Sequence, residues 1–159
     1  MFALSGCTRA ALLPVGAAVP VDLSAVDQNG APHRMGDSAG KVTVVYFYPR
    51  DATPGCTAEA CAFRDVWDQY QSAGIQVFGV SSDDQASKAS FAAEHKLPFP
   101  ILADSDKKWI NAFHVPTWLG MASRVTFLIG RDLKVARVYP DVDPGVHATQ
   151  VLADALSLR

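Results

Sequence analysis

Three observations predict an α/β protein with a mixed central sheet flanked by helices. First, Lys41 to Tyr48 (KVTVVYFY) and Ile75 to Ser81 (IQVFGVS) are rich in β-branched and aromatic residues. That is the composition of strands buried on both faces. Second, segments with helical spacing of apolar residues separate these runs from each other and from a third, Phe99 to Asp104. Strand, helix, strand, helix, strand in that order implies right-handed crossovers and parallel neighbours. Third, Arg124 to Ile129 and Lys134 to Tyr139 are joined by the short turn Gly130-Arg131-Asp132. That pair reads as an antiparallel hairpin, which makes the sheet mixed.

The elements follow in order. Val19 to Met35 reads as two short strands around Gln28-Asn29-Gly30, an N-terminal β-hairpin. A Pro-, Gly- and Thr-rich loop runs from Pro49 to Gly55. Ala58 to Ala73 carries Phe63, Val66, Trp67 and Tyr70 at helical spacing, and Gly74 ends it. Asp83 and Asp84 open the next helix, where acidic residues suit the N-terminus. Phe91 and Ala92 lie on its inner face, and Lys96 lies near its end. Lys107 to Phe113 is a short helix. Pro144 starts a last helix running through Leu158, with Val146, Val151, Leu152 and Leu156 as its apolar face. This arrangement is thioredoxin-like in outline, and outline alone assigns no function.

The 159 residues fit one domain, and 49% apolar residues can build a core without covalent staples. Residues 1–15 are expected to be a flexible extension and 16–159 the domain. A net charge of −2 without like-charge blocks argues against a nucleic-acid binder. No apolar run approaches the ~18 residues of a membrane span. Leu4-Ser5-Gly6-Cys7 resembles the lipobox of bacterial lipoproteins. A secretion signal needs a basic start and a longer apolar stretch, however, and the residues before Cys7 are uncharged. A cytoplasmic protein with Cys7 as a bystander is expected. A periplasmic lipoprotein held to the membrane through Cys7 is the alternative.

Three cysteines are too few, and odd in number, for a disulfide scaffold. Cys56 falls where a buried strand gives way to a helix, the end of an α/β sheet where sites gather. The first turn of a helix presents unpaired N–H groups and positive dipole character, which favour a thiolate. A lone cysteine is more often an inert core residue. Here the neighbours Thr53, Pro54, Gly55 and Thr57 are loop and cap residues. On one helix, Cys56 and Cys61 are separated by ~140° around the axis and ~7.5 Å along it. Their Cα atoms are then ~8.6 Å apart, beyond the ~7 Å that a disulfide tolerates. They can bond only if the helix start unwinds. Cys61 fits equally well as a residue packed beside Phe63. His33, His95, His114 and His147 show no metal-ligand spacing, and no metal is expected. Two other readings stand beside a redox enzyme. One is a Cys–His hydrolase or acyltransferase using His114 or His147. The other is a redox-sensing binding module.

Pro49-x-x-x-Thr53-x-x-Cys56 resembles the active-site signature of the peroxiredoxins. The wider run FYPRDATPGCTAEACAFRD, Phe47 to Asp65, resembles the peroxiredoxin Q class, also called bacterioferritin comigratory protein. That class typically has a second cysteine five residues after the first. The likeness continues in Phe78 to Asp84, Leu97 to Asp104, Arg124 to Gly130 and Asp143 to Leu152, and covers the chain from about Val15 onward. The resemblance implies a thiol-dependent peroxidase acting on hydrogen peroxide and organic hydroperoxides, without a cofactor. It implies that Cys56 attacks the peroxide and that Cys61 resolves the sulfenic acid as a disulfide. It further implies that Thr53 hydrogen-bonds thiolate and peroxide, that Pro49 shields the pocket, and that Arg124 holds the thiolate. Glu59 would orient the arginine. Thioredoxin or a similar dithiol would be the reductant, and the protein would be a monomer. A low thiol pKa alone does not make attack fast, because nucleophilicity falls with pKa. The rate must come from donors aimed at the transition state. Trp118 to Met121, in the loop before Arg124, either shapes the pocket or packs.

Overall fold

The computed structural model describes residues 11–158. Cys7 and the lipobox expectation lie outside them. The chain opens with β1 (Ser24–Val26) and β2 (Pro32–Arg34), the expected hairpin, and a 3-10 turn at Met35–Ser38. There follow β3 (Thr43–Phe47), α1 (Pro54–Asp65), α2 (Trp67–Ser72), β4 (Gln76–Ser81), α3 (Gln85–His95) and β5 (Ile101–Ala103). Next come α4 (Lys108–Ala112), β6 (Thr117–Trp118), β7 (Met121–Ala122), β8 (Val125–Ile129), β9 (Val135–Tyr139) and α5 (His147–Leu156).

Among the described residues, seven strands form one sheet in the order β2-β1-β5-β4-β3-β8-β9. β3, β4 and β5 are parallel, while β8 runs antiparallel to both β3 and β9. Every residue of β3 is buried, because it sits mid-sheet between two cores. Val44 and Tyr46 face one core, with Phe63, Tyr70, Phe91 and Leu152 from the helices. Val45 and Phe47 face the other, with Trp109, Ile110 and Phe113. The strand alternation thus places α1, α2, α3 and α5 on one face and α4 on the other.

Four expectations need correction. The ordered packing reaches back before residue 16: Leu13 is buried and its N–H bonds the Phe113 carbonyl at 3.1 Å. The helix expected from Ala58 begins at Pro54, with proline at its first position, and is interrupted at Val66 (φ −112°, ψ 13°). The last helix begins at His147 and not at Pro144. The Asp143 carboxylate accepts the Gly145 N–H at 3.1 Å, so a side-chain turn occupies the positions assigned to helix. Val146 falls outside the helix and is exposed, Leu156 is exposed at its last position, and Ala148, Val151, Leu152 and Ala155 make the buried face. Finally, Trp118 to Met121 forms a tight hairpin, with positive φ at Leu119 and Gly120.

Candidate active site

The loop from Pro49 to Thr53 joins β3 to α1 and sets Cys56 in the helix's first turn. Thr53 is the N-cap residue in extended conformation, Pro54 follows, and Gly55 precedes the cysteine. The Thr53 carbonyl accepts the Thr57 N–H at 2.9 Å. Its hydroxyl makes no cap but donates to the Arg50 carbonyl at 3.1 Å. The Gly55 and Cys56 N–H groups lie ahead of that first intrahelical bond and so have no partner within the helix.

Arg124, just before β8, reaches back over this turn. Its Nη2 donates to Cys56 Sγ at 3.3 Å and its Nη1 to Glu59 Oε1 at 2.9 Å. Gly55 makes the approach possible, since a Cβ there would lie 3.0 Å from Arg124 Nη2. Cys56 is 1% exposed. Glu59 is fully buried, and its second oxygen, Oε2, has no hydrogen-bond partner among the described residues. Burial pushes its carboxyl up to about 7, against the opposing pull of Arg124. Burial works to lower the Arg124 pKa, and Glu59 with Cys56 more than offsets it, so the guanidinium is held charged. One guanidinium therefore serves both the Glu59 carboxyl and the Cys56 sulfur, and its hold on Glu59 weakens when that carboxyl is neutral.

Beneath them lies Tyr46, its ring stacked on Phe63 at 4.7 Å. Its buried hydroxyl has no partner either, and burial with the nearby Glu59 charge raises its pKa well above the usual value. Pro49 lines a cavity of about 420 Å³ shared with Arg50, Ser82, Asp83 and the Leu119–Met121 turn. The Trp118 and Leu119 side chains project outward, 71% and 77% exposed. Trp118 is not part of the lining, whereas Leu119, Gly120 and Met121 border the cavity.

Cys61 stands apart. It and Cys56 are free thiols on the same unbroken helix. Its Sγ lies 4.0 Å from His95 Nδ1, at the end of α3, and Arg64 donates to the His95 carbonyl at 2.8 Å. The hydrolase histidines are committed elsewhere: His147 bonds Thr126 Oγ1 at 2.7 Å and His114 faces the Ala11 carbonyl at 3.2 Å. Among the described residues no three His, Cys, Asp or Glu side chains gather as a metal site.

The arrangement, a covered cysteine under a guanidinium at a helix start, can hold a thiolate and donate to oxygens bonded to it. The AhpC/TSA family model matches residues 15–138. The chain belongs to the AhpC/TSA family. Within that family it is 40% identical over 137 residues to a chloroplastic peroxiredoxin Q of Triticum aestivum, covering 84% of this chain and 63% of that protein. A chloroplastic peroxiredoxin Q of Sedum lineare is 38% identical over 143 residues, covering 88% and 77%. Among solved structures, peroxiredoxin Q of Xanthomonas campestris superposes with a TM-score of 0.84 at 31% identity, covering 90% of this chain and 97% of that one. Peroxidoxin BcpB of Mycobacterium tuberculosis gives 0.82 at 32%, covering 91% and 97%. The peroxiredoxin Q resemblance and the thioredoxin-like mixed sheet are both borne out.

Some parts of the site are invisible to motif reading. Lys88, fully buried on α3, reaches under the Pro49–Thr53 loop to Asp51 at 2.9 Å. The signal was available: Lys88 is three and four residues before Phe91 and Ala92, hence on the inner face. A lysine there demands a buried partner. His95 beside Cys61 gives no comparable signal.

Proposed function

We propose that the chain is a thiol-dependent peroxidase in which Cys56 is the attacking residue and Cys61 the resolving one. The observation that carries the proposal is the 3.3 Å contact between Arg124 Nη2 and Cys56 Sγ at the start of α1. The thiolate sulfur forms a bond to the terminal peroxide oxygen while the O–O bond breaks. Cys56 becomes a sulfenic acid, and the departing alkoxide or hydroxide takes a proton from water. Arg124 and the Cys56 N–H donate to the oxygens as charge moves onto them. The Thr53 hydroxyl, with lone pairs to spare beyond its bond to Arg50, orients the peroxide. Pro49 keeps water from the sulfur.

Resolution needs α1 to open. Both sulfurs lie on one helix, so part of it must unwind before Cys61 attacks the sulfenic acid, releasing water and forming the disulfide. The break at Val66 lets α1 do this without α2, and the Cys61–His95 and Arg64–His95 contacts are those given up. A dithiol reductant, thioredoxin or a similar protein, then restores both thiols. The Xanthomonas campestris bacterioferritin comigratory protein, 30% identical with a TM-score of 0.84, is described as having alkyl peroxide reduction activity. That supports alkyl hydroperoxides as a substrate class here, and hydrogen peroxide presents the same O–O bond to Cys56.

The test is peroxide consumption with a thioredoxin system as electron donor. The wild type turns over, Cys56→Ser does nothing, and Cys61→Ser is oxidised once at the normal rate but does not cycle. Stoichiometric oxidation of the wild type without turnover would favour a redox-sensing module instead.

A further inference from the structure

Lys88 is the largest charged side chain in the interior, and nothing in the chemistry above uses it. It is fully buried. An ammonium has three N–H donors. Here the three acceptors are Tyr48 Oη at 2.8 Å, Asp51 Oδ1 at 2.9 Å and Ser81 Oγ. The bonding continues outward. Tyr48 donates to Asp51 Oδ1 at 2.6 Å and Ser87 to Asp51 Oδ2 at 2.8 Å. Ser81 donates to Asp83 Oδ2 at 2.7 Å, which also accepts the Asp51 backbone N–H at 2.8 Å. The Asp83 carboxylate is itself 3.8 Å from the ammonium. Each buried polar atom in the cluster is matched.

A buried ion pair is a poor source of stability, because desolvation offsets most of the attraction. What it supplies is geometry. Asp51 is the one buried residue in the stretch between Pro49 and Cys56, and its neighbours Arg50 and Ala52 are exposed. Ala52 holds φ at +61°, a conformation that a non-glycine residue keeps only when its surroundings enforce it. Thr53, on the far side, ties back to Arg50. The loop that carries Pro49 and Thr53 is therefore held at Asp51: its carboxylate by Tyr48, just after β3, and by Ser87 and Lys88 on α3, and its backbone N–H by Asp83, just after β4. None of those elements needs to move when α1 unwinds.

We propose that Lys88 is a positioning residue for Cys56 oxidation: through Asp51 it holds the Pro49–Thr53 loop, and so the first turn of α1, in the reactive geometry. It also marks the fixed side of the hinge, so unwinding begins after Asp51. Attraction between the Lys88 ammonium and a Cys56 thiolate adds to this, while burial lowers the Lys88 pKa and Asp51 opposes that.

The proposal rests on Cys56 being the attacking thiolate, and its test separates the two. Wild type, Lys88→Met and Asp51→Asn are compared at a temperature where thermal melts show each to be folded. Two rate constants are read: oxidation of Cys56 by hydrogen peroxide, and the later Cys56–Cys61 disulfide formation. A misplacement of reacting groups by about 1 Å can cost roughly 10²-fold in rate. Oxidation is therefore expected to slow at least about tenfold in Lys88→Met and about threefold or more in Asp51→Asn. Disulfide formation should stay within about threefold of wild type, because it needs the helix open and not the loop aligned. A variant that is merely less stable, yet still folded, would oxidise at the wild-type rate. Oxidation of folded Lys88→Met within twofold of wild type overturns the proposal. If Lys88→Met does not fold, the nearly isosteric Asp51→Asn decides by the same criterion. Wild-type protein that leaves Cys56 unoxidised would sink the peroxidase reading, and the role of Lys88 with it.

Discussion

Replacing Arg124 by Met removes the guanidinium and keeps an apolar stem of similar length. The magnitude follows from the 3.3 Å separation of Nη2 from Cys56 Sγ. At an effective dielectric near 20, unit charges that close attract by about 5 kcal/mol before competition. Two effects reduce this. Glu59 takes the other arm of the guanidinium at 2.9 Å, and the arginine side chain is 20% exposed. Loss of one preorganised donor elsewhere costs about 2.7–4 kcal/mol, or roughly 10²–10³ in rate. The second-order rate constant for Cys56 oxidation should therefore fall by about 10²–10³ in Arg124→Met. Rapid-mixing oxidation with hydrogen peroxide, quenched by thiol alkylation, measures it. The substitution also strips Glu59 of its partner. Burial already holds that carboxyl near 7, so it protonates rather than remaining as a buried charge. Arg124→Met/Glu59→Gln should then oxidise as slowly as Arg124→Met alone. A single variant within about fivefold of wild type would refute the reasoning. So would a double variant that regains the rate, since the fault would then lie in an unpaired Glu59.

Two further expectations come from the same corner of the molecule. Glu59 has a folded pKa of about 7 against 4.5 as its ordinary value, so the native state binds its proton more tightly. Its contribution is neutral below pH 4.5, becomes unfavourable as pH rises towards 7, and levels off above, on the order of 3 kcal/mol in all. Urea midpoints at pH 5 and 7.5 should show the wild type losing stability relative to Glu59→Gln, and parallel curves would contradict this. Gly55→Ala places a methyl group 3.0 Å from Arg124 Nη2 in a helical turn that otherwise favours alanine. It should slow Cys56 oxidation about tenfold with the melting temperature unchanged or raised, and equal rates would show that the guanidinium has room to shift.

What the sequence discloses and what it withholds divide by range. KVTVVYFY is legible as a central strand because both faces of β3 are buried, so no polar alternation interrupts it. The Thr53-Pro54-Gly55-Cys56 run is legible because turn and first-helical-position chemistry is local. The misplaced start of α5 is the same kind of signal misread: Pro144 suits a first helical turn, but Asp143 bonds Gly145 and makes a turn instead. Arg124 is different. It meets Cys56 across 68 residues of chain, and only family resemblance, not periodicity, singled it out. Asp51 and Lys88, 37 apart, were absent from that signature. The inward position of Lys88 on α3 was readable from Phe91 and Ala92, but its partner was not, because α3 packs over the loop only in three dimensions. The expected loop at Trp118 is a hairpin because Leu119 adopts a left-handed conformation that its residue type does not advertise.

The central claim is that one helix holds both reacting sulfurs apart until Cys56 has been oxidised. Intact mass and peptide mapping of the reduced protein, after one equivalent of hydrogen peroxide and a quench within seconds, tests it most directly. The account predicts a Cys56–Cys61 disulfide with Cys7 still a free thiol. Unchanged thiols, or a disulfide joining Cys56 to Cys7, would contradict it.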